Sequence, residues 1–164
     1  MRLRLDVAGG DDCGTPVDYG ALSNLLGAFA DRFSLPCREL SVSLSFVPPV
    51  DIRGLNARFR GLDEETDVLS FPLWEEEGLF SPPEWDDLPL GDVVVSPACV
   101  SSSAGMANMD YNSEIILVIV HGVLHLLGFD HDTEERRREM WREQEALVRE
   151  YLTGTAARGG LMVE

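Results

Sequence analysis

The hydrophobic pattern divides the chain into alternating and helical stretches. Arg2-Leu3-Arg4-Leu5-Asp6-Val7 alternates polar and apolar, and Leu40-Ser41-Val42-Ser43-Leu44-Ser45-Phe46 does so strictly. A period of two places every second side chain on one face, which reads as a half-buried strand. Between these strands, Thr15-Pro16 reads as a helix cap followed by proline at the first helical position, and Leu22, Leu25, Leu26, Phe29 and Phe33 recur at helical spacing. Pro48-Pro49 stops the second strand, and Ile52, Leu55 and Phe59 mark a short helix ending near Arg60-Gly61. Asp67-Val68-Leu69-Ser70-Phe71, stopped by Pro72, and Gly91-Asp92-Val93-Val94-Val95-Ser96 are two further strands. Trp74 to Leu90 holds Pro82, Pro83, Pro89 and many acids, so a surface loop is expected. Pro97 opens a helix running to about Met109.

The stretch Ile115 to Leu127 is apolar nearly all round, which predicts a buried helix capped by Asn112 or Ser113. Its first half has the composition of a strand, but its length and the spacing of its polar residues favour the helix. Asp132 with Glu135 three positions on has the form of a capping box. Met140, Trp141, Gln144, Leu147, Val148 and Tyr151 then line one face of a final helix. The expectation is one domain over residues 1–152, with a Gly- and Ala-rich tail, 153–164, lacking fixed structure.

Charge changes this picture in one respect. The 164 residues carry a net charge of −16, and all 13 basic residues are arginine, with none between Arg60 and Arg136. Such a surface disfavours non-specific nucleic-acid binding, so a polyanionic substrate would need local arginines or a bound cation. Cys13, Cys37 and Cys99 are widely spaced and suggest no disulfide framework, which fits a reducing cytosol. Met1 to Asp6 lacks the apolar run of a secretion signal, and Ile115–Val120 is too short to span a membrane. The expected location is cytoplasmic, with no membrane partner.

The candidate chemistry lies in His121-Gly122-Val123-Leu124-His125-Leu126-Leu127-Gly128-Phe129-Asp130-His131, which contains all 3 histidines of the chain. On a helix, His121 and His125 stand one turn apart on one face. Gly128 can end that helix and return His131 to the same point. Three imidazoles on one point describe a catalytic metal holder with a free coordination position. The spacing is that of the metzincin proteases, H-E-x-x-H-x-x-G-x-x-H, except that Gly122 replaces the glutamate that serves them as general base. Imidazole ligands alone leave zinc, nickel, copper and iron open.

Three segments resemble one family. Leu55-Asn56-Ala57-Arg58-Phe59-Arg60-Gly61 leads into Thr66-Asp67-Val68-Leu69-Ser70-Phe71-Pro72; Gly91-Asp92-Val93-Val94-Val95-Ser96 follows, and then the histidine motif. Together, over about residues 40 to 150, they resemble the bacterial YbeY family of metal-dependent endoribonucleases. The resemblance implies an α+β, zincin-like fold, with a small mixed sheet of about four strands packed with about five helices and the metal site on a buried helix. It implies a zinc ion on His121, His125 and His131, and a functional arginine at Arg60. It also implies single-stranded RNA as substrate, 16S ribosomal RNA 3′-end maturation and ribosome quality control as the role, and the small ribosomal subunit with its associated factors as partners. The chain departs from the family at Leu62-Asp63-Glu64-Glu65, where members often carry lysines. Two other functions would use the same histidines: a zinc peptidase, and a non-catalytic metal-stabilised module on the ribosome. Asp130, Asp92 and Arg136-Arg137-Arg138 read more simply as turn and surface residues.

Overall fold

The computed structural model describes the backbone of residues 1–163, and the side chains of all but residues 11, 12 and 156–164. In chain order the elements are β1 (Arg2–Ala8), α1 (Tyr19–Ala30), β2 (Glu39–Phe46), α2 (Pro49–Arg60), β3 (Val68–Pro72), β4 (Glu75–Glu76), β5 (Leu79–Phe80), β6 (Asp87–Val95), α3 (Pro97–Met106), α4 (Tyr111–Leu126) and α5 (Glu134–Val163). The expected α+β class is found, with a mixed four-stranded sheet in the order β1-β2-β6-β3 and five helices. β1, β2 and β6 run parallel and β3 is antiparallel to β6, while β4 and β5 form a separate hairpin. Among the described residues no helix is long and apolar enough to cross a membrane.

Alternation in the strands decides which helices lie on which face. Leu40, Val42, Leu44 and Phe46 of β2 are all buried, as are Val93 and Val95 of β6. They pack with Leu22 and Leu26 of α1, Ile115, Ile119 and Leu124 of α4, and Met140 and Leu147 of α5 in the main core. Val94, one residue out of phase, joins Leu69, Ile52 of α2 and Cys99 of α3 in a smaller cluster on the opposite face. Helix α4 therefore runs along the sheet, buried along most of its length, as its apolar sequence predicts.

Several boundaries differ from the sequence reading, each for a local reason. Helix α1 starts at Tyr19, where Asp18 accepts from the Ala21 N–H; Thr15-Pro16 precedes it. The cap of α4 is Asp110, whose carboxylate accepts from the Ser113 N–H and hydroxyl. At α5 the hydroxyl of Thr133 accepts from the Arg136 N–H, while Asp132 pairs with the Arg136 side chain instead of capping. Trp141 is half exposed on α5, off the buried face of Met140, Gln144, Leu147, Val148 and Tyr151. The α5 backbone continues as far as Val163, through the segment expected to be an irregular tail; its side chains from residue 156 on lie outside those described.

The expected loop from Trp74 to Leu90 holds the β4–β5 hairpin and the first half of β6, where Leu88 and Leu90 are buried. Proline is tolerated inside β6 because the strand bulges there: Ser41 pairs with Pro89 and Val42 with Gly91, leaving Leu90 as the extra residue. Leu90 and Pro89 turn their carbonyls to the Leu73 N–H and the Trp74 indole N–H. Gly91 completes the bulge at φ 136°, and a Cβ there would overlap the Phe71 carbonyl.

Candidate metal centre

Helix α4 places His121 and His125 one turn apart near its C-terminal end, with ring centroids 4.6 Å apart. Two hydrogen bonds then reverse the chain. Gly128 N–H donates to the His125 carbonyl and Phe129 N–H to the Leu124 carbonyl, with Gly128 at φ 97°. This paired closure is the Schellman helix stop, which requires a left-handed residue at the glycine position. The reversal brings the His131 ring to 5.2 Å from that of His125 and 5.9 Å from that of His121. One nitrogen from each ring lies within 4.8 Å of the others, so the three form a group that can hold a metal ion. Among the described residues, no carboxylate or thiol joins them.

The outer nitrogens of two rings are already committed. His121 Nδ1 lies 2.8 Å from Gln144 Oε1, and His125 Nδ1 lies 2.9 Å from the Phe129 carbonyl oxygen. A carbonyl can only accept, so His125 carries its proton on Nδ1; Gln144, meeting His121 through its oxygen, sets the same tautomer there. Burial lowers the pKa of His121, and lowers that of His125 to about 4, aided by the neighbouring imidazoles, so both rings are neutral near pH 7. Their Nε2 atoms then face one another as lone pairs at 3.1 Å. Two facing acceptors repel unless a cation lies between them. Nitrogens about 2.0–2.1 Å from one tetrahedral ion would be roughly 3.3 Å apart. The donor set therefore fits a transition-metal cation.

The position that the proteases fill with glutamate is closed here by packing. A Cβ on Gly122 would lie 2.5 Å from Val93 Cγ1 and 3.2 Å from Ser70 Oγ. Ser70 in turn donates its hydroxyl to the Gly122 carbonyl at 3.1 Å. Glycine at this position lets α4 rest directly on β3 and β6, which sets the height of the flanking histidines above the sheet.

A cleft of about 460 Å³ opens over the histidines, and Arg60 lines it with His121, His125 and His131. Arg60 ends α2 on the opposite side of the sheet edge and is exposed, and its guanidinium makes no hydrogen bond or ion pair among the described residues. The structure thus brings together all four residues singled out in the sequence. Asp130 accepts from the His131 N–H at 2.7 Å and so braces the turn, and Asp92 is an exposed strand residue.

Three contributors were not read from the sequence as site residues. Gln144 stood only as one face residue of a helix, although its register with Met140 and Leu147 put it on the buried side, where an amide must find a partner. The Phe129 carbonyl left no sequence signal. Arg136, read as surface charge, grips both carboxylate oxygens of Asp132 at 2.9 Å and the carbonyls of Gly78 and Gly128 at 3.1 Å. It ties the β4–β5 hairpin to the turn before His131 and closes that wall of the cleft.

Comparisons with known proteins agree with this geometry. The family described as Endoribonuclease YbeY matches residues 20–152. A Pelotomaculum thermopropionicum protein named Endoribonuclease YbeY is 47% identical over 67% of this chain and 71% of its own length. A Desulfitobacterium hafniense protein of that name is 35% identical over 89% of this chain and 96% of its own. The solution structure of TM1509 from Thermotoga maritima superposes with a TM-score of 0.58 at 28% identity, covering 94% of this chain and 93% of that one. With a matching family profile over most of its length, relatives above one-third identity and the histidine cluster in place, this chain belongs to the Endoribonuclease YbeY family.

Proposed function

We propose that the chain is a metal-dependent endoribonuclease that cuts single-stranded RNA in 16S ribosomal RNA 3′-end maturation and ribosome quality control. Its cofactor in this reading is one zinc ion on His121, His125 and His131, and its setting is the cytoplasm, on the small ribosomal subunit with associated factors. Residues 1–152 form the catalytic unit. The observation that carries the reading is the pair of Nε2 lone pairs facing at 3.1 Å, each fixed by an acceptor on the far nitrogen and with the third imidazole beside them.

When bound, such an ion supplies Lewis acidity, which acidifies water and polarises a phosphoryl oxygen. The chain's own residues do the rest. Gln144 and the Phe129 carbonyl keep two rings in the tautomer that presents Nε2. Arg60 reaches into the same cleft with a guanidinium unpaired among the described residues, whose fork matches two nonbridging phosphate oxygens and offsets the charge gathering on them. Gly122 offers no side-chain base, and Val93 and Ser70 leave no room for one, which disfavours the peptidase alternative. Three histidines without a fourth side-chain ligand among the described residues disfavour a closed structural site.

The test incubates zinc-loaded protein with single-stranded RNA, duplex RNA and casein, with and without chelator. Chelator-sensitive cutting of the single strand alone is expected. His125→Ala should lose both metal and activity, and Arg60→Ala should keep its metal and lose most activity. Casein cleavage, or RNA cleavage indifferent to chelator and to His125→Ala, overturns the proposal.

A further inference from the structure

Among the described residues, Phe59 is the exposed aromatic ring beside the cleft. Ile52, Leu55, Asn56 and Phe59 share a face of α2, and the first three are buried or half-buried against the sheet. The sheet ends at β3, its edge strand, so the last turn of α2 overhangs and Phe59 is left 57% exposed. Its ring meets Phe71 of β3 edge-to-face, with centroids 5.3 Å apart and planes at 70°. The Arg58 guanidinium lies 5.2 Å from its centroid. The exposed indoles are placed differently: Trp85 packs on Trp74, Trp141 lies under Arg137, and neither lines the cleft.

Phe59 and Phe71 line a second hollow of about 480 Å³. This hollow is continuous with the histidine cleft, since Arg60, Ser70, Pro72, Glu75 and Gly78 border both. Its far wall carries Glu75 and Glu77 of the β4–β5 hairpin. Phosphates are repelled from that wall and drawn to the Arg58–Arg60 side. A strand with its phosphate on Arg60 therefore has its next base over an exposed aromatic ring on a rigid helix end.

Resting on the ribonuclease reading above, we propose that Phe59, backed by Phe71, is a base-stacking subsite for the nucleotide adjacent to the phosphate held at Arg60, the exposed Arg58 guanidinium yielding its place over the ring to the base. Every base has a π-face, so the subsite accepts any sequence, but it needs an unpaired base and thereby selects single strands over duplex. It also accounts for how a chain of net charge −16 holds a polyanion: part of the grip is stacking, which overall charge does not weaken.

The experiment measures cleavage of a labelled single-stranded RNA by zinc-loaded parent, Phe59→Ala and Phe59→Trp proteins. A parallel substrate carries abasic nucleotides beside the cut. Removing a stacking ring should raise KM about tenfold. We expect that rise for Phe59→Ala with kcat and zinc content retained, no rise on the abasic substrate, and recovery in Phe59→Trp, whose indole fluorescence is quenched when RNA is added. If the parent cuts RNA and Phe59→Ala matches it within twofold, or loses equally on the abasic substrate, the subsite is wrong and the ribonuclease reading survives. Phe59→Ala that loses only a protein partner likewise overturns the subsite. A parent that cuts no RNA overturns both.

Discussion

Gly122→Ala tests whether the contact between α4 and the sheet fixes the metal site. The new methyl carbon would lie 2.5 Å from Val93 Cγ1, about 1 Å inside ordinary contact, and 3.2 Å from both Val93 Cγ2 and Ser70 Oγ. Val93 is fully buried and β-branched, so it has no free rotamer to turn into. Overpacking of this kind costs roughly 1–3 kcal/mol. Lifting the helix would also break the Ser70–Gly122 hydrogen bond, worth about 1 kcal/mol. Against these, alanine gains about 1 kcal/mol of helix propensity over glycine. The net is a loss of about 1–3 kcal/mol, or roughly 0.5–1.5 M in urea midpoint at an m-value near 2 kcal/mol/M. Because His121 is the preceding residue, zinc content should fall as well. Val93→Ala alone should cost roughly 2–3 kcal/mol for two buried methyl groups and the void they leave. In the double variant the alanine methyl fills part of that void, so the two costs should fall short of additivity by at least about 1 kcal/mol. Urea titrations of the four proteins decide it. A Gly122→Ala protein as stable as the parent, or costs that add within about 0.5 kcal/mol, would refute the packing argument.

Three other perturbations follow from the same contacts. Gln144→Ala removes the acceptor that holds the His121 tautomer, and zinc affinity measured against a competing chelator should weaken about 10- to 100-fold with the three ligands untouched. Zinc at 100 times its dissociation constant should stabilise the fold by about 2.7 kcal/mol, so adding chelator should lower the melting temperature of the parent but not of His125→Ala. Arg32 binds both oxygens of Glu143 at 2.7 and 3.1 Å and holds its pKa below the usual 4.5. A depressed carboxylate stabilises the fold above its unfolded pKa, and this is lost as pH falls through the folded value. Arg32→Met should therefore cost about 0.5–1 kcal/mol at pH 7, modest because Arg32 is exposed, and progressively less as pH falls below the ordinary carboxylate range; a cost that does not shrink on acidification would refute the pairing.

The parts legible in the sequence were those fixed by local repetition. The two-residue period of β2 and the three- and four-residue spacing on α4 follow from backbone geometry alone. So does the convergence of the histidines, because the helix stop at Gly128 is itself a local signal. The unread parts depend on partners distant in the chain. Pro89 argued for a loop, and only the bulge against Ser41 and Val42 lets it sit inside a strand. Gly122 reads in the sequence as a missing catalytic group, whereas in the fold Val93 and Ser70 occupy the space a side chain would need. Arg136 looked like one of several surface charges, yet it bonds Gly78, 58 residues away.

These distant contacts converge on a single mechanical arrangement. One wall of the cleft is α4, seated on the sheet through Gly122; the opposite side is the end of α2, where Arg60 follows Phe59. Both elements pack on strands β3 and β6, from opposite faces of the sheet. The separation between Arg60 and the two α4 histidines, His121 and His125, is therefore set by the sheet and not by either loop. Only the third wall, the β4–β5 hairpin, depends on a side-chain clasp, since Arg136 holds it to the turn before His131. In the proposed function, the two α4 ligands and the phosphate-binding arginine thus rest on the rigid part of the fold, and substrate access rests on the part held by one arginine.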